Sequence, residues 1–200
     1  MFEKEKLEII KGGMKLDRYG LIALAGGNLS LRMPTGELLV TPSGMIYEDM
    51  VADDVIVMDR EGKIIEGSRK PSSDTAAILY IFNHRPGVNA VIHSHQPYAT
   101  AISLLEDTSE FRADLTTLGN ACGGNVPISP YSSPGSEEMG IDTVNHLGEG
   151  HAVILAHHGV MTTGDSLKQA LNAAVYLEEC ARAYLAARAV GPIRHLTDAQ

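Results

Sequence analysis

In the segment Val91-Ile92-His93-Ser94-His95, two imidazoles are separated by a single residue. Alternate residues of an extended strand point to the same face, so His93 and His95 can present their rings to one metal ion. A second histidine-bearing segment, Leu155-Ala156-His157-His158-Gly159, reads as the end of another strand. Neighbouring strand residues face opposite ways, so one of His157 and His158 is expected to join the pair. Three imidazoles with a coordination position left open describe a catalytic metal site rather than a structural one. Zn²⁺ is the usual occupant of such a donor set, although imidazoles also bind Mn²⁺, Co²⁺ and Fe²⁺. His84, His146, His151 and His195 fall in loops or at helix ends, where surface positions are expected.

A second group of segments could hold an anion. Gly26-Gly27-Asn28 precedes a strand, Thr41-Pro42-Ser43-Gly44 follows one, and Pro71-Ser72-Ser73 opens a helix. Each can expose backbone N–H groups and short hydroxyl or amide side chains, which is what a phosphate dianion requires. Taken singly, they are also an ordinary turn, turn and helix cap. Asp74 falls just inside the same helix start. It either complements the helix dipole or supplies a carboxylate near the metal, as a base or a fourth ligand.

The elements that must position these residues can be read from periodicity. Leu7, Ile10 and Met14 are spaced for one face of a helix that Gly12-Gly13 would weaken. Strands are expected at Leu29 to Met33 and Leu38 to Thr41, joined by a hairpin turn at Pro34-Thr35-Gly36, and at Val55 to Met58. A turn at Asp59 to Gly62 leads into Lys63-Ile64-Ile65. Ser72 to Asn83 reads as a helix, Val88 to His95 as a strand, and Pro97 to Leu105 as a helix. Ala152 to Ala156 fits a buried strand. Ser166 to Ala189 is a long helix capped by Asp165 or Ser166 and stopped by Gly191-Pro192. The alternation of strands and helices indicates a layered α/β domain spanning residues 1–200, with the strand order left open.

Composition narrows the partners. The 200 residues carry a formal charge of −9, which argues against nucleic acid but not against a small phosphate held by backbone groups. No apolar run approaches the roughly 20 residues that span a bilayer. The charged start Met1-Phe2-Glu3-Lys4-Glu5-Lys6 lacks a following apolar stretch, so no secretory signal is expected. Cys122 and Cys180 stand outside any C-x-x-C pattern and read as small buried hydrophobes. The expectation is a cytoplasmic setting without a membrane association.

Taken in order, the motifs resemble the class II aldolase/adducin family, most closely its L-fuculose-1-phosphate aldolases. The resemblance runs through Gly26-Gly27-Asn28-Leu29-Ser30-Leu31-Arg32, Thr41-Pro42-Ser43-Gly44, Pro71-Ser72-Ser73-Asp74 and His93-Ser94-His95. It continues through Gly123-Gly124-Asn125-Val126-Pro127 with Pro130-Tyr131, and then His157-His158-Gly159. It implies a three-layer α/β/α sandwich with a largely antiparallel central sheet, assembled as a homotetramer with sites at subunit interfaces. It implies one divalent metal per subunit on His93, His95 and His158. It implies phosphate binding at Asn28, Ser43, Gly44, Ser72 and Ser73, and a Tyr131 that reaches the neighbouring subunit's site to assist proton transfer. The activity implied is metal-dependent cleavage of a ketose 1-phosphate to dihydroxyacetone phosphate and an aldehyde, with Asp74 as acid/base. The sequence departs from the aldolases at two points. They carry glutamate where Asp74 stands, whereas the related L-ribulose-5-phosphate 4-epimerases carry Ser-Ser-Asp-Thr, as in Ser72 to Thr75 here. They also bring a tail tyrosine to the site, and no tyrosine follows Tyr184. The alternatives are therefore a pentulose 5-phosphate epimerase, in which Asp114 would be a second acid/base, a methylthioribulose-1-phosphate dehydratase, and a non-catalytic adducin-like scaffold.

Overall fold

The computed structural model describes residues 1–197. A nine-stranded sheet has the order β4-β3-β2-β1-β5-β9-β8-β7-β6. The strands are β1 Asn28–Arg32, β2 Leu38–Val40, β3 Ile56–Met58, β4 Ile64–Glu66, β5 Ala90–Ser94, β6 Glu110–Phe111, β7 Val126–Ser129, β8 Ala152–Leu155 and β9 Gly159–Gly164. Every neighbouring pair is antiparallel except β7 with β8. The helices are α1 Glu3–Arg18, α2 Thr75–His84, α3 Pro97–Ile102, α4 Thr116–Cys122, α5 Glu137–Leu147 and α6 Leu167–Arg188. Among the described residues, no helix is long and apolar enough to cross a membrane.

Side-chain alternation along the strands builds three layers. Leu39, Val57 and Ile92 face α1 and α6, and Ile154 and Val160 face α3, α4 and α6. Their neighbours Leu38, Val40, Ile56, Val91, Val153 and Met161 face α2 and α5 on the opposite side. The expected α/β/α sandwich with a largely antiparallel sheet is thus the observed architecture. The central strand β5 is buried along its whole length between β1 and β9.

Several element boundaries differ from the sequence expectation. The helix expected from Ser72 starts at Thr75, because Ser72 and Ser73 form a turn in which the Thr75 N–H reaches the Ser72 carbonyl. The β5 strand ends at Ser94, so His95 lies just beyond it. The glycine pair does not interrupt α1, which runs unbroken through Gly12 and Gly13. Ser166, rather than Asp165, caps α6, its Oγ accepting from the Gln169 N–H.

Candidate metal centre

His93 leaves the centre of the sheet on β5 and is 1% exposed. Its Nδ1 lies 3.0 Å from the Val160 carbonyl of β9, which fixes the ring and places the proton on Nδ1. Its Nε2 is thereby left with a free lone pair, 3.0 Å from Nε2 of His95. The chain reverses between β8 and β9 through a tight turn in which the His158 N–H donates to the Leu155 carbonyl. His157 occupies the left-handed region (φ 58°) and is exposed, whereas His158 turns inward. The expected strand alternation therefore does not select between the two histidines; the turn does. The ligand atoms of His93, His95 and His158 all lie within 4.8 Å of one another. Three nitrogens on a tetrahedral ion at about 2.0–2.1 Å would stand about 3.3 Å apart, so small ring rotations bring this group to coordination distance.

The surroundings keep His93 and His158 in the neutral form that can bind a metal ion. Burial, followed by the neighbouring His158 and His95 rings, pushes the His93 imidazole down to about 3. Burial and His95 also lower His158, against the pull of Asp74. Neutral imidazole is the ligating form. Nδ1 of His158 is buried without a hydrogen-bond partner, a cost that ligation or an ordered water would remove. Gly159 has to be glycine here: a Cβ would lie 2.5 Å from the Ser94 carbonyl oxygen and 3.2–3.3 Å from the His95 and His93 rings.

Asp74 stands at the N-cap of α2, yet its side chain makes no capping bond. The carboxylate instead accepts from Asn28 Nδ2 at 2.6 Å and lies 4.0 Å from His93 Nε2. Asn28 can reach it because it pairs with His93 across β1 and β5. Asn28 is itself 3% exposed, with Oδ1 unpartnered.

Two of the other anion-binding segments are joined just before α2 begins. An isolated antiparallel bridge joins Pro42 to Pro71. The Ser43 N–H donates to the Lys70 carbonyl at 2.9 Å and the Ser72 N–H to the Thr41 carbonyl at 3.1 Å. The Ser72 hydroxyl accepts from the Asp74 N–H at 3.2 Å. Two of the expected backbone donors are thus consumed by the framework. Gly44, Ser73 and the Ser43 side chain remain exposed, and the Gly44 and Ser73 N–H groups make no backbone hydrogen bond among the described residues.

Tyr131 follows β7, is 61% exposed and is not among the three histidines' ring partners. Asp114 follows β6, at the far edge of the sheet from β5. Its carboxylate is taken by His195 Nδ1 at 2.7 Å and the Leu196 N–H at 2.9 Å. Reading the sequence overlooked the Val160 carbonyl, which has no side-chain signature, and Ser103, whose Oγ accepts from the His157 N–H at 3.0 Å.

Residues 7–185 match the family model described as Class II Aldolase and Adducin N-terminal domain. The 5-deoxy-D-ribulose 1-phosphate aldolase of Bacillus thuringiensis serovar kurstaki is 32% identical over 192 residues, covering 96% of this chain and 89% of that protein. The L-ribulose-5-phosphate 4-epimerase UlaF of Salmonella typhi is 32% identical over 202 residues, covering 95% and 88%. A solved L-fuculose 1-phosphate aldolase superposes with a TM-score of 0.90 at 31% identity, covering 96% of this chain and 90% of that one. With the family model spanning all nine strands, and aldolase and epimerase relatives each 32% identical over 95% or more of its length, the chain belongs to the class II aldolase and adducin family.

Proposed function

We propose that this protein is a divalent-metal-dependent lyase that cleaves a ketose 1-phosphate to dihydroxyacetone phosphate and a short aldehyde. The observation that carries the reading is the convergence of His93, His95 and His158 beside a buried carboxylate that does not cap its own helix. His93, His95 and His158 would hold one ion per subunit, Zn²⁺ by donor type, with Mn²⁺, Co²⁺ and Fe²⁺ as substitutes. When bound, such an ion would supply Lewis acidity to stabilise the negative charge that develops on the substrate's oxygens. Asp74 moves the proton at the reacting carbon, returning it in cleavage and removing it in synthesis. Asn28 holds Asp74 Oδ2 and so orients the carboxylate. Gly44, Ser43 and Ser73 offer N–H and hydroxyl donors to the phosphate, and Ser72 braces the cradle through its bond to the Asp74 N–H. The exposure of Tyr131 suits a role in a neighbouring subunit, where its side chain would assist proton transfer at the aldehyde oxygen, giving the proton in synthesis and taking it back in cleavage. That role belongs with an interface site in a homotetramer, acting on a small phosphorylated sugar in the cytoplasm.

The second reading is epimerisation of a pentulose 5-phosphate. It is favoured by Asp74 in place of glutamate and by the 32% identity to an epimerase. The scaffold reading has no such support, since the three-histidine group is intact. Product analysis after incubation with a panel of ketose 1-phosphates and pentulose 5-phosphates separates the two enzymes. Release of dihydroxyacetone phosphate establishes the lyase, and interconversion of pentulose 5-phosphates without release replaces it with the epimerase.

A further inference from the structure

The short helix α3 stands between the two segments that carry the imidazoles. Pro97, its first residue, is two positions after His95. A helix of six residues has little stability of its own, so its placement depends on what holds its ends. The N-cap residue Gln96 is fully buried and makes no capping bond; its Nε2 donates to Ser94 Oγ at 3.0 Å. The first-turn amides of α3 go instead to Glu178, in the middle of α6. Glu178 Oε1 accepts from the Tyr98 N–H and Oε2 from the Ala99 N–H, both at 2.9 Å. Glu178 is only 7% exposed. A carboxylate taken this far out of water is retained only with such charge-assisted partners.

The other end of α3 is tied as well. Ser103, its C-cap, donates its hydroxyl to the Thr100 carbonyl at 2.7 Å and accepts from the His157 N–H at 3.0 Å. His157 immediately precedes His158. One end of α3 is therefore continuous with His95, and the other grips the turn that carries His158.

We propose that Glu178 is a positioning residue of the metal centre: by holding the first turn of α3 on α6, it sets the placement of His95 and, through Ser103, that of the turn bearing His158. This inference rests on the metal-binding reading above. Glutamine at 178 keeps the side-chain length but can accept only one of the two bonds, and it points an N–H₂ at the other amide.

The test is titration of the metal-free protein with Co²⁺, followed by visible absorption, which reports both affinity and ligand geometry. The proteins compared are wild type, Glu178→Gln, Ser103→Ala, the double variant and Cys180→Ala. Cys180 lies on the same helix and packs in the same cluster as Ala99 and Ile102 of α3, but among the described residues no hydrogen bond joins it to either end of α3, so its replacement matches a loss of packing while leaving those bonds in place. Outer groups that orient metal ligands are typically worth 10–100-fold in affinity, and Glu178→Gln is expected to weaken Co²⁺ binding about ten-fold and to alter the band shape. Ser103→Ala is expected to act in the same direction. The double variant is expected to lose less than the product of the single losses, because both bonds act through α3. Wild-type affinity and band shape in Glu178→Gln, or a change no larger than that of Cys180→Ala, would overturn the proposal. If Glu178→Gln does not fold, an unchanged Co²⁺ spectrum in Ser103→Ala overturns it instead. A wild-type protein that takes up no Co²⁺ removes the metal-binding reading itself, a failure visible in that arm alone.

Discussion

Asp74 is the residue on which the choice of chemistry turns. At a helix N-cap an aspartate ordinarily accepts from the second or third N–H of its own helix. Here it faces Asn28 and His93 instead. Asp74→Asn is expected to leave metal content and fold intact while lowering turnover by about 10²–10⁴-fold, the usual contribution of a general acid or base. Exchange of the dihydroxyacetone phosphate proton with solvent should fall in parallel. Exchange at the wild-type rate would make Asp74 only the start of α2. His158→Ala, by contrast, should lose bound metal and turnover together, read by metal analysis of the purified protein. The histidine group was legible in the sequence because period-two spacing needs no knowledge of the fold. The selection of His158 over His157 was not legible from spacing, because the left-handed backbone at His157 breaks the alternation on which that reading relied.

At the scale of elements, the two glycines of α1 set helix propensity against packing. Alanine would favour the helix by about 1 kcal/mol per glycine replaced. At Gly13, however, a Cβ would lie 2.0–2.4 Å from the Tyr47 ring, which is 3% exposed and cannot simply move into solvent. Overpacking of this kind costs about 1–3 kcal/mol, so Gly13→Ala is expected to lower the denaturation midpoint despite its better propensity. A rise in the midpoint would show that Tyr47 has room to yield. The same physics explains why the stretch from 106 to 147 could not be read in advance. In α5, Met139, Thr143 and Leu147 recur at four-residue spacing after the Ser136 cap. Gly140 adjoins that stripe on the buried face without adding an apolar side chain to it, and it is needed because a Cβ would meet the Ala77 carbonyl oxygen of α2 at 2.6 Å. The β6 strand has two residues, and β7 contains Pro127, so neither carries a periodic signal. Elements that bury a regular face announce themselves, whereas those fixed by close backbone approach do not.

For the whole molecule, the buried imidazole of His93 couples stability to pH. Its native value near 3 lies below the ordinary 6.5. Between these values the unfolded chain binds a proton that the native state refuses. Stability of the metal-free protein is therefore complete above the unfolded value and falls as pH drops through that window. The slope from one such group is at most about 1.4 kcal/mol per pH unit. Denaturant titrations of the metal-free protein at pH 7.5 and pH 5 are expected to show the lower stability at pH 5; equal stability would mean that His93 is not held neutral. Adding a divalent ion at 100 times its dissociation constant should raise stability by about 2.7 kcal/mol, and a chelator should reverse the gain.

The bridge between Pro42 and Pro71 joins two residues that have no N–H to give, so the pairing is carried by the flanking Ser43 and Ser72 amides. This makes the cradle its own reporter in deuterium labelling. The Ser43 and Ser72 amides should exchange slowly whether or not a ligand is present, because the framework already holds them. The Gly44 and Ser73 amides should exchange fast in the free protein and slow down only when an oxyanion accepts hydrogen bonds from them. A single labelling time course would then separate the part of the loop pair that is architecture from the part that waits for substrate.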